Sequence, residues 1–235
     1  MEDWTDMEQA RRWSADPVSH NPTRPEQLDI MLSVLADEYR PGTYVLDVGM
    51  GSGIVEEMVF RRVPGVMVVG MDASEPMVAL AHERLAPYRG RYDVVMGDLT
   101  RLGEKTLPER EYSVAISVQV IHNVAHEYKR EAFTFVHRAL APGGLFLLVD
   151  RVRVDTPTLF GAYLAMWRRL DRLHEARVSA NERDTFREHE ASVSVRGDQP
   201  ATLEEHLRWL READFAEAAC LHIHTNRALF AARKG

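Results

Sequence analysis

Short apolar runs alternate with segments of helical spacing through the middle of the chain. The apolar runs cover residues 44–48, 66–71, 92–96, 112–118 and 145–149. Between them, apolar side chains recur every three or four positions over residues 54–62, 74–85 and 127–140, as in amphipathic helices. Strands that are apolar throughout are typical of parallel sheets with helices on both faces. The pattern therefore predicts a doubly wound α/β core.

The segments on either side of this core have other patterns. Residues 1–40 predict a helix, a loop and a second helix, because several prolines interrupt the helical spacing near residue 17. Residues 156–190 are helical in pattern and rich in Arg, and Leu203–Ala213 predicts a further helix. Ala218–Ile223 and Arg227–Ala232 then predict two strands joined by a short turn.

These elements predict one domain over residues 1–235. It consists of a helical N-terminal arm (1–40), a core (41–150), a helical cover (151–200) and a closing helix with a strand hairpin (201–235). We expect a mostly parallel, seven-stranded sheet whose last strand is antiparallel.

Composition and charge exclude several classes of protein. A content of 45% hydrophobic and 28% charged residues argues against a disordered chain. A net charge of −7 disfavours sequence-independent binding to nucleic acid, which depends on Lys and Arg. No apolar run approaches the roughly 20 residues that cross a bilayer, and the acidic start lacks the pattern of a signal peptide.

Two further details bear on origin and compartment. Cys220 is the one cysteine, which excludes an internal disulfide and indicates a reducing compartment, the cytoplasm. Only three of the 29 basic residues are Lys, which indicates a GC-rich bacterial genome.

The most informative segment is Val45–Gly53, where a strand runs into a glycine turn that opens a helix. Glycines allow positive φ, and a helix N-terminus offers free N–H groups to a nucleotide-like ligand. A dinucleotide-binding turn needs a third glycine where this chain has Ile54. The spacing found here, Gly49, Gly51 and Gly53 after Asp47, resembles the first motif of class I S-adenosylmethionine-dependent methyltransferases.

Acids after the next two strands extend the resemblance. In that family, an acid placed like Asp72 accepts hydrogen bonds from both ribose hydroxyls, and an acid placed like Asp98 contacts the adenine amine. Asp47 would receive the amino group of the methionine moiety, directly or through water. Ala141-Pro-Gly-Gly144 matches the turn before the fifth strand in the same family.

The resemblance implies S-adenosyl-L-methionine as the cofactor and S-adenosyl-L-homocysteine as the product. It assigns cofactor binding to the core and substrate binding to the cover. The residues implied for the cofactor are Asp47, Gly49, Gly51, Gly53, Asp72, Ala73, Met77, Asp98, Leu99 and Ser117.

Signatures of the DNA, protein-arginine and magnesium-dependent catechol methyltransferases are absent from the sequence. We therefore expect a small-molecule substrate in bacterial specialised metabolism, with oxygen as the expected methyl acceptor and nitrogen or carbon as the alternatives. The 174–235 region also resembles relatives of carboxy-S-adenosylmethionine synthase, so that reaction stays open. A protein that binds the cofactor without turnover is a third alternative, and Ile54 argues against a nicotinamide enzyme.

His122 follows the fourth strand, beside the expected methyl group, where a neutral imidazole suits a general base. Pocket shaping is the alternative role for His122. From the arginine-rich cover, Arg183 and Arg187 are the candidates to bind a substrate carboxylate, since guanidinium groups pair bidentately with carboxylates. Trp167 is a candidate pocket aromatic, and Trp4 and Trp13 are further ones, although core packing explains all three equally well.

Two histidine clusters have spacings that could hold a metal ion. His122 and His126 lie four residues apart, while Cys220, His222 and His224 alternate along one strand. Because the alternation in the second cluster is also that of an ordinary amphipathic strand, we expect no metal.

Overall fold

The seven strands of the computed structural model, which describes residues 4–16 and 21–235, lie in one sheet in the order β3-β2-β1-β4-β5-β7-β6. The strands are β1 Tyr44–Val48, β2 Met67–Asp72, β3 Tyr92–Met96, β4 Tyr112–Val118, β5 Leu140–Arg151, β6 Phe215–His224 and β7 Arg227–Lys234. Neighbouring strands pair in parallel from β3 to β5, and β7 is antiparallel to both β5 and β6. The predicted fold class, a mostly parallel sheet with an antiparallel last strand, is confirmed.

Nine α-helices lie within the described ranges. They are α1 Met7–Ala15, α2 Arg24–Glu38, α3 Ile54–Arg62, α4 Glu75–Arg84, α5 His126–Ala139, α6 Phe160–His174, α7 Val178–Glu182, α8 Phe186–Arg196 and α9 Leu203–Glu212. Short 3-10 helices occur at Ala86–Tyr88, Leu99–Glu104, Ile121–Asn123 and Pro157–Leu159. None of the described helices is long and apolar enough to cross a membrane.

Two helical layers bury the sheet. Leu35, Val59 and Ala81 bring α2, α3 and α4 onto one face, where they pack with strand residues in one apolar cluster. Phe133 on α5 and Leu210 on α9 pack in a second cluster against the opposite face. Burial of both faces explains why the central strands are apolar at successive positions rather than at alternate ones.

Strand β5 begins five residues before its predicted start. Leu140 pairs with Tyr112, and the next β5 residue paired with β4 is Leu145, opposite Val114. The four residues between them, Ala141-Pro-Gly-Gly144, form a bulge in which Gly143 has φ +70°. The predicted turn is thus present, but it lies inside a strand.

Helices α6, α7 and α8 pack mainly on one another. Their small apolar cluster contains Val154, Phe160, Leu164, Trp167, Leu170 and Val178. Trp167 is fully buried there, stacked against His189. The single helical segment predicted for residues 156–190 is therefore three helices that extend to Arg196, with a small core of their own.

Candidate functional site

A cavity of about 380 Å³ opens at the carboxyl edge of the parallel strands. It lies where the strand order reverses, between β1 and β4, which is where open α/β sheets bind their ligands. The glycine turn after β1 and the ends of β2 and β3 line one half. Residues from the ends of β4, β5 and α8 and the start of β7 line the other half.

The glycine turn has the backbone conformation that its sequence predicts. Gly49, Gly51 and Gly53 have φ of +86°, +56° and +77°. A Cβ at position 49 would lie 2.4 Å from Val120 Cγ2, so only glycine allows the turn to pack against the loop after β4. Helix α3 begins directly behind the turn, so its free N–H groups face this end of the cavity.

Asp72, the last residue of β2, is held in place by the backbone. Its Oδ2 accepts a hydrogen bond from Gly51 N at 2.8 Å, and its Oδ1 accepts one from Ser74 N at 2.8 Å. Burial raises the pKa of Asp72, although backbone N–H donors act in the opposite direction. The carboxylate therefore joins the glycine turn to the start of α4, and each oxygen keeps a lone pair for a ligand.

Seven of the ten residues predicted for the cofactor line the cavity. They are Gly49, Gly51, Asp72, Ala73, Met77, Asp98 and Leu99. Asp98 is exposed and its Oδ1 caps the 3-10 helix through Thr100 N, at 2.8 Å. The other three do not line the cavity: Gly53 lies at the start of α3, Ser117 donates to Val48 O at 2.7 Å, and Asp47 is buried beneath the turn.

Asp47 lies next to a second buried carboxyl group, that of Glu56 on α3, which sequence reasoning missed. Burial is the largest cause that raises the pKa of Asp47 to about 7, and burial likewise raises the pKa of Glu56. A hydrogen bond between the two carboxyl groups contributes to both pKa values, and among the described residues no N–H or O–H group of another side chain donates to Asp47 Oδ1 or to either oxygen of Glu56. Unpaired buried acids beside a cavity fit a cationic ligand group, such as the amino group of S-adenosylmethionine.

In the other half of the cavity, His122 pairs with Asp150. The His122 Nδ1 lies 2.5 Å from Asp150 Oδ1, and both side chains are buried. Burial opposes ionisation of Asp150, but the charge and hydrogen bond of His122 outweigh it and lower the pKa of this carboxyl. Since His122 lines the cavity and Asp150 occupies Nδ1, Nε2 is the ring nitrogen left for a ligand.

Lys129 on α5 holds the loop that carries His122. Its ammonium group donates to Ile121 O at 2.6 Å and to Val124 O at 2.5 Å. Burial is the largest cause that lowers the pKa of Lys129, to about 8. The backbone N–H of Gln199 also donates a hydrogen bond to the backbone oxygen of His122, at 2.6 Å, so the loop is fixed at several points.

The cavity arginines are not the ones that the sequence predicted. Arg183 and Arg187 are exposed and do not line the cavity, and Trp167 lies in the core of the cover. The arginines at the cavity are Arg24, Arg151, Arg196 and Arg227. Trp4 and Trp13 line it too, with ring centroids 6.2 Å apart.

The histidine clusters do not form a recognisable metal site. His126 packs on the Trp209 ring, at 5.1 Å between centroids. Cys220 Sγ contacts the backbone oxygen of His222 on the edge strand β6. Over residues 4–16 and 21–235, no group of three or more His, Cys, Asp or Glu side chains is placed to hold a metal ion.

Asp150, Arg151 and Arg227 are site residues that sequence reasoning missed. For Asp150 and Arg151 a signal existed, since both follow the apolar run Leu145–Val149 at the carboxyl end of a strand. Arg227 had no comparable signal, because its position depends on how β7 pairs with β5.

Comparisons with known proteins agree with this geometry. Residues 45–144 match the family model described as "Methyltransferase domain". The ubiquinone/menaquinone biosynthesis C-methyltransferase UbiE of Cereibacter sphaeroides is 27% identical over 137 residues, which are 57% of this chain and 52% of the relative. The carboxy-S-adenosyl-L-methionine synthase of Trichodesmium erythraeum is 25% identical over 121 residues, 51% of this chain and 46% of the relative.

A structural neighbour supports the fold alone. The crystal structure of a putative O-methyltransferase from Nostoc punctiforme has a TM-score of 0.64 at 17% identity, covering 98% of this chain and 60% of the neighbour. The chain spans about half the length of the two curated relatives. The methyltransferase-domain model matched by residues 45–144, the ordered motifs from Asp47 to Gly144 and the sheet order are those of class I S-adenosylmethionine-dependent methyltransferases, the superfamily that this chain resembles.

Proposed function

We propose that this protein is an S-adenosylmethionine-dependent methyltransferase that methylates a hydroxyl oxygen of a small molecule in bacterial specialised metabolism. The observation that carries the proposal is the His122–Asp150 pair, whose imidazole lines the same cavity as the glycine turn. Methylation of a neutral hydroxyl group needs a general base next to the cofactor-binding residues.

The cofactor half of the cavity has a partner for each end of the cofactor. Asp72 would accept the ribose hydroxyls, and Asp98 would accept the adenine amine. The backbone of Gly49–Gly51 would lie close to the part of S-adenosylmethionine that joins the ribose to the methionine moiety. Asp47 and Glu56 are buried beneath this part of the backbone. When bound, S-adenosylmethionine supplies an electrophilic methyl group on a sulfonium.

His122 would take the acceptor's proton. Its Nδ1 donates to Asp150, which leaves Nε2 with a lone pair toward the cavity. As the acceptor oxygen forms its bond to the methyl carbon, Nε2 would receive the hydroxyl proton, and Asp150 would stabilise the imidazolium that results. This arrangement supports catalysis over the alternative of a binding protein without turnover.

The test uses the purified protein with S-adenosylmethionine and a panel of phenols and alcohols, with methylated product followed by mass spectrometry. His122→Ala should lower turnover by roughly 10²–10⁴-fold because the proton acceptor is lost. The acidic limb of the pH–rate profile should disappear with the base. Asp150→Asn should lower turnover in the same direction, since it leaves the imidazole unsupported.

The control for this test is affinity for S-adenosylhomocysteine, measured by calorimetry. It should be the same in the wild type and both variants, because neither side chain belongs to the cofactor half. Turnover of His122→Asn within a few-fold of wild type, with the acidic limb intact, would reject the base role. It would favour an acceptor that is already deprotonated in solution.

A second candidate is the synthesis of carboxy-S-adenosylmethionine, favoured by the cavity arginines and by the likeness to the synthase from T. erythraeum. That reaction places a carboxylate on the transferred carbon, so a nearby guanidinium is required. Mass spectrometry of ligand retained through purification separates the two candidates. The carboxylated cofactor would support the synthase, and S-adenosylmethionine or its demethylated product would support methyl transfer.

A further inference from the structure

Three arginines from three different elements meet at the end of the cavity that holds His122. Arg151 is the last residue of β5, Arg227 is the first of β7, and Arg196 is the last of α8. Arg151 and Arg227 are direct partners in the antiparallel ladder, so their side chains project from the same face of the sheet. Like charges directly opposite in a sheet repel, so this pair is costly unless negative charge compensates it.

Each acidic side chain near the three arginines already interacts with other groups of the protein. Asp198 accepts hydrogen bonds from both Arg151 and Arg196. Glu182 lies 3.0 Å from His189 Nδ1 and 4.0 Å from Arg196 Nη2. Asp150 Oδ1 accepts from the Arg151 backbone N–H and lies against His122.

Arg227 is the least compensated member of the cluster. It is 5% exposed, and among the described residues no carboxylate lies within ion-pair distance of it. Its Nη1 has no hydrogen-bond partner there, and neither do Arg151 Nε and Arg196 Nη2. Burial is the largest cause that lowers the pKa of Arg227, to about 9, and the charge of Arg151 acts in the same direction, while the more distant charges of Glu182, Asp150 and Asp198 oppose them only in part.

These features describe a site suited to an anionic ligand. A buried cation without a paired anion costs free energy, and a planar guanidinium binds a carboxylate through two parallel hydrogen bonds. Since no carboxylate of the described residues lies within ion-pair distance of Arg227, a carboxylate carried by a ligand in the cavity would pair with it.

We propose that Arg227, Arg151 and Arg196 form a carboxylate-binding subsite that positions an acidic small-molecule substrate beside His122. The inference rests on the proposed function, because it assigns a chemical class to the acceptor of the same site. It also replaces Arg183 and Arg187 as the residues that bind the substrate carboxylate. The same guanidinium groups could hold a carboxylate carried on the sulfonium carbon, and the test separates these sources.

The test measures binding by calorimetry with two probes of similar shape, phenylacetate and phenylacetamide, on protein saturated with S-adenosylhomocysteine. The carboxylate should bind at least tenfold more tightly than the amide. Arg227→Gln should remove that difference and leave affinity for S-adenosylhomocysteine unchanged. Circular dichroism and thermal unfolding check that the variant is folded.

Two further variants keep the test decisive. Arg196→Gln changes a side chain that is 27% exposed, so folding is less at risk, and it should weaken the carboxylate in the same direction. Arg187→Gln, an exposed arginine of the same helix, should leave both probes unaffected. The inference is overturned if acid and amide bind equally, if no carboxylate binds at millimolar concentration, or if Arg187→Gln has the larger effect.

A second arm compares S-adenosylmethionine with carboxy-S-adenosylmethionine on ligand-free protein. Tighter binding of the carboxylated form that Arg227→Gln abolishes, without binding of phenylacetate, would overturn the acidic acceptor and assign the carboxylate to the cofactor. Failure of the wild type to bind S-adenosylhomocysteine at all would refute the proposed function. Binding of phenylacetate to ligand-free protein would still test whether the three arginines bind a carboxylate.

Discussion

At the scale of single residues, two acids lie side by side in the interior of the protein. Asp47 and Glu56 are fully buried behind the glycine turn, where two ionised carboxylates would repel each other strongly. The pair therefore keeps a proton in the folded protein at pH values where the unfolded chain releases it. For comparison, Asp72 accepts hydrogen bonds from two backbone N–H groups, which counteract the effect of burial on its pKa.

This proton makes stability depend on pH. Because the folded state binds more protons than the unfolded state between pH 3.8 and about 7, the free energy of unfolding should fall as pH rises through that window. The slope contributed by one proton is at most about 1.4 kcal/mol per pH unit. The double variant Asp47→Asn/Glu56→Gln should lose this component, as measured by urea unfolding at a series of pH values.

Glu83→Gln, on an exposed position of α4, is the matched control and should keep the wild-type slope. Equal slopes in the wild type and the double variant would show that the pair is ionised in the folded state. A ligand ammonium group bound above the pair should favour the ionised form, so affinity for S-adenosylhomocysteine should rise with pH over the same window.

At the scale of elements, the glycine turn and the loop after β4 depend on each other. Gly49 lies against Val120, two residues before His122. Gly49→Ala should destabilise the protein by about 2–4 kcal/mol, from positive φ and from the contact with Val120. It should also displace the His122 loop, so turnover should fall along with cofactor affinity.

Gly65→Ala measures the cost of positive φ without a contact like that between position 49 and Val120. Gly65 has φ +78°, close to that of Gly49, but a Cβ there meets no atom within 4 Å. Its cost should be limited to about 1–2 kcal/mol. Chemical unfolding of both variants gives the comparison, and equal costs would show that Val120 moves aside freely.

The elements also show how far sequence reasoning reaches. The order of strands and helices from Tyr44 to Val149 was predictable, because strand and helix periodicity differ and each turn carries its own glycine or acid. Residues whose position depends on local chain geometry, such as Asp72 at the end of β2, could be predicted directly from the sequence pattern. Positions fixed by long-range pairing, such as Arg151 opposite Arg227, did not, because no local pattern specifies the register between distant strands.

For the same reason, the sequence does not specify where Trp167 and Arg183, the predicted substrate residues, lie relative to the cavity. An aromatic at helical spacing fits a pocket or a core equally well, and only the packing of α6 against α8 places Trp167 inside the cover. The arginine-rich composition of the cover indicated that arginines lie near the substrate. Composition does not specify which helix faces of the cover turn toward the cavity.

At the scale of the whole molecule, the cover packs mainly on itself, through helices α6, α7 and α8. Its apolar cluster is separate from the two clusters that bury the sheet, and Arg151–Asp198 is one of the polar links between them. We therefore expect faster amide hydrogen exchange in residues 157–196 than in α5 or β4. S-adenosylhomocysteine with phenylacetate should slow exchange in the cover, as measured by mass spectrometry.

S-adenosylhomocysteine alone should slow exchange mainly around residues 49–53 and 72–77, since those segments line its half of the cavity. Cover exchange as slow as that of β4 in the free protein would contradict the expectation of a loosely attached cover.

The position of β7 has a consequence for the order of assembly. β7 is the last strand along the chain, yet it lies inside the sheet, between β5 and β6. During synthesis, β5 therefore keeps an open edge until residues 227–234 have left the ribosome, and open edges invite wrong pairing. The insertion that closes this edge also brings Arg227 opposite Arg151, so a nascent chain gains its complete cavity only after β7 has paired with β5.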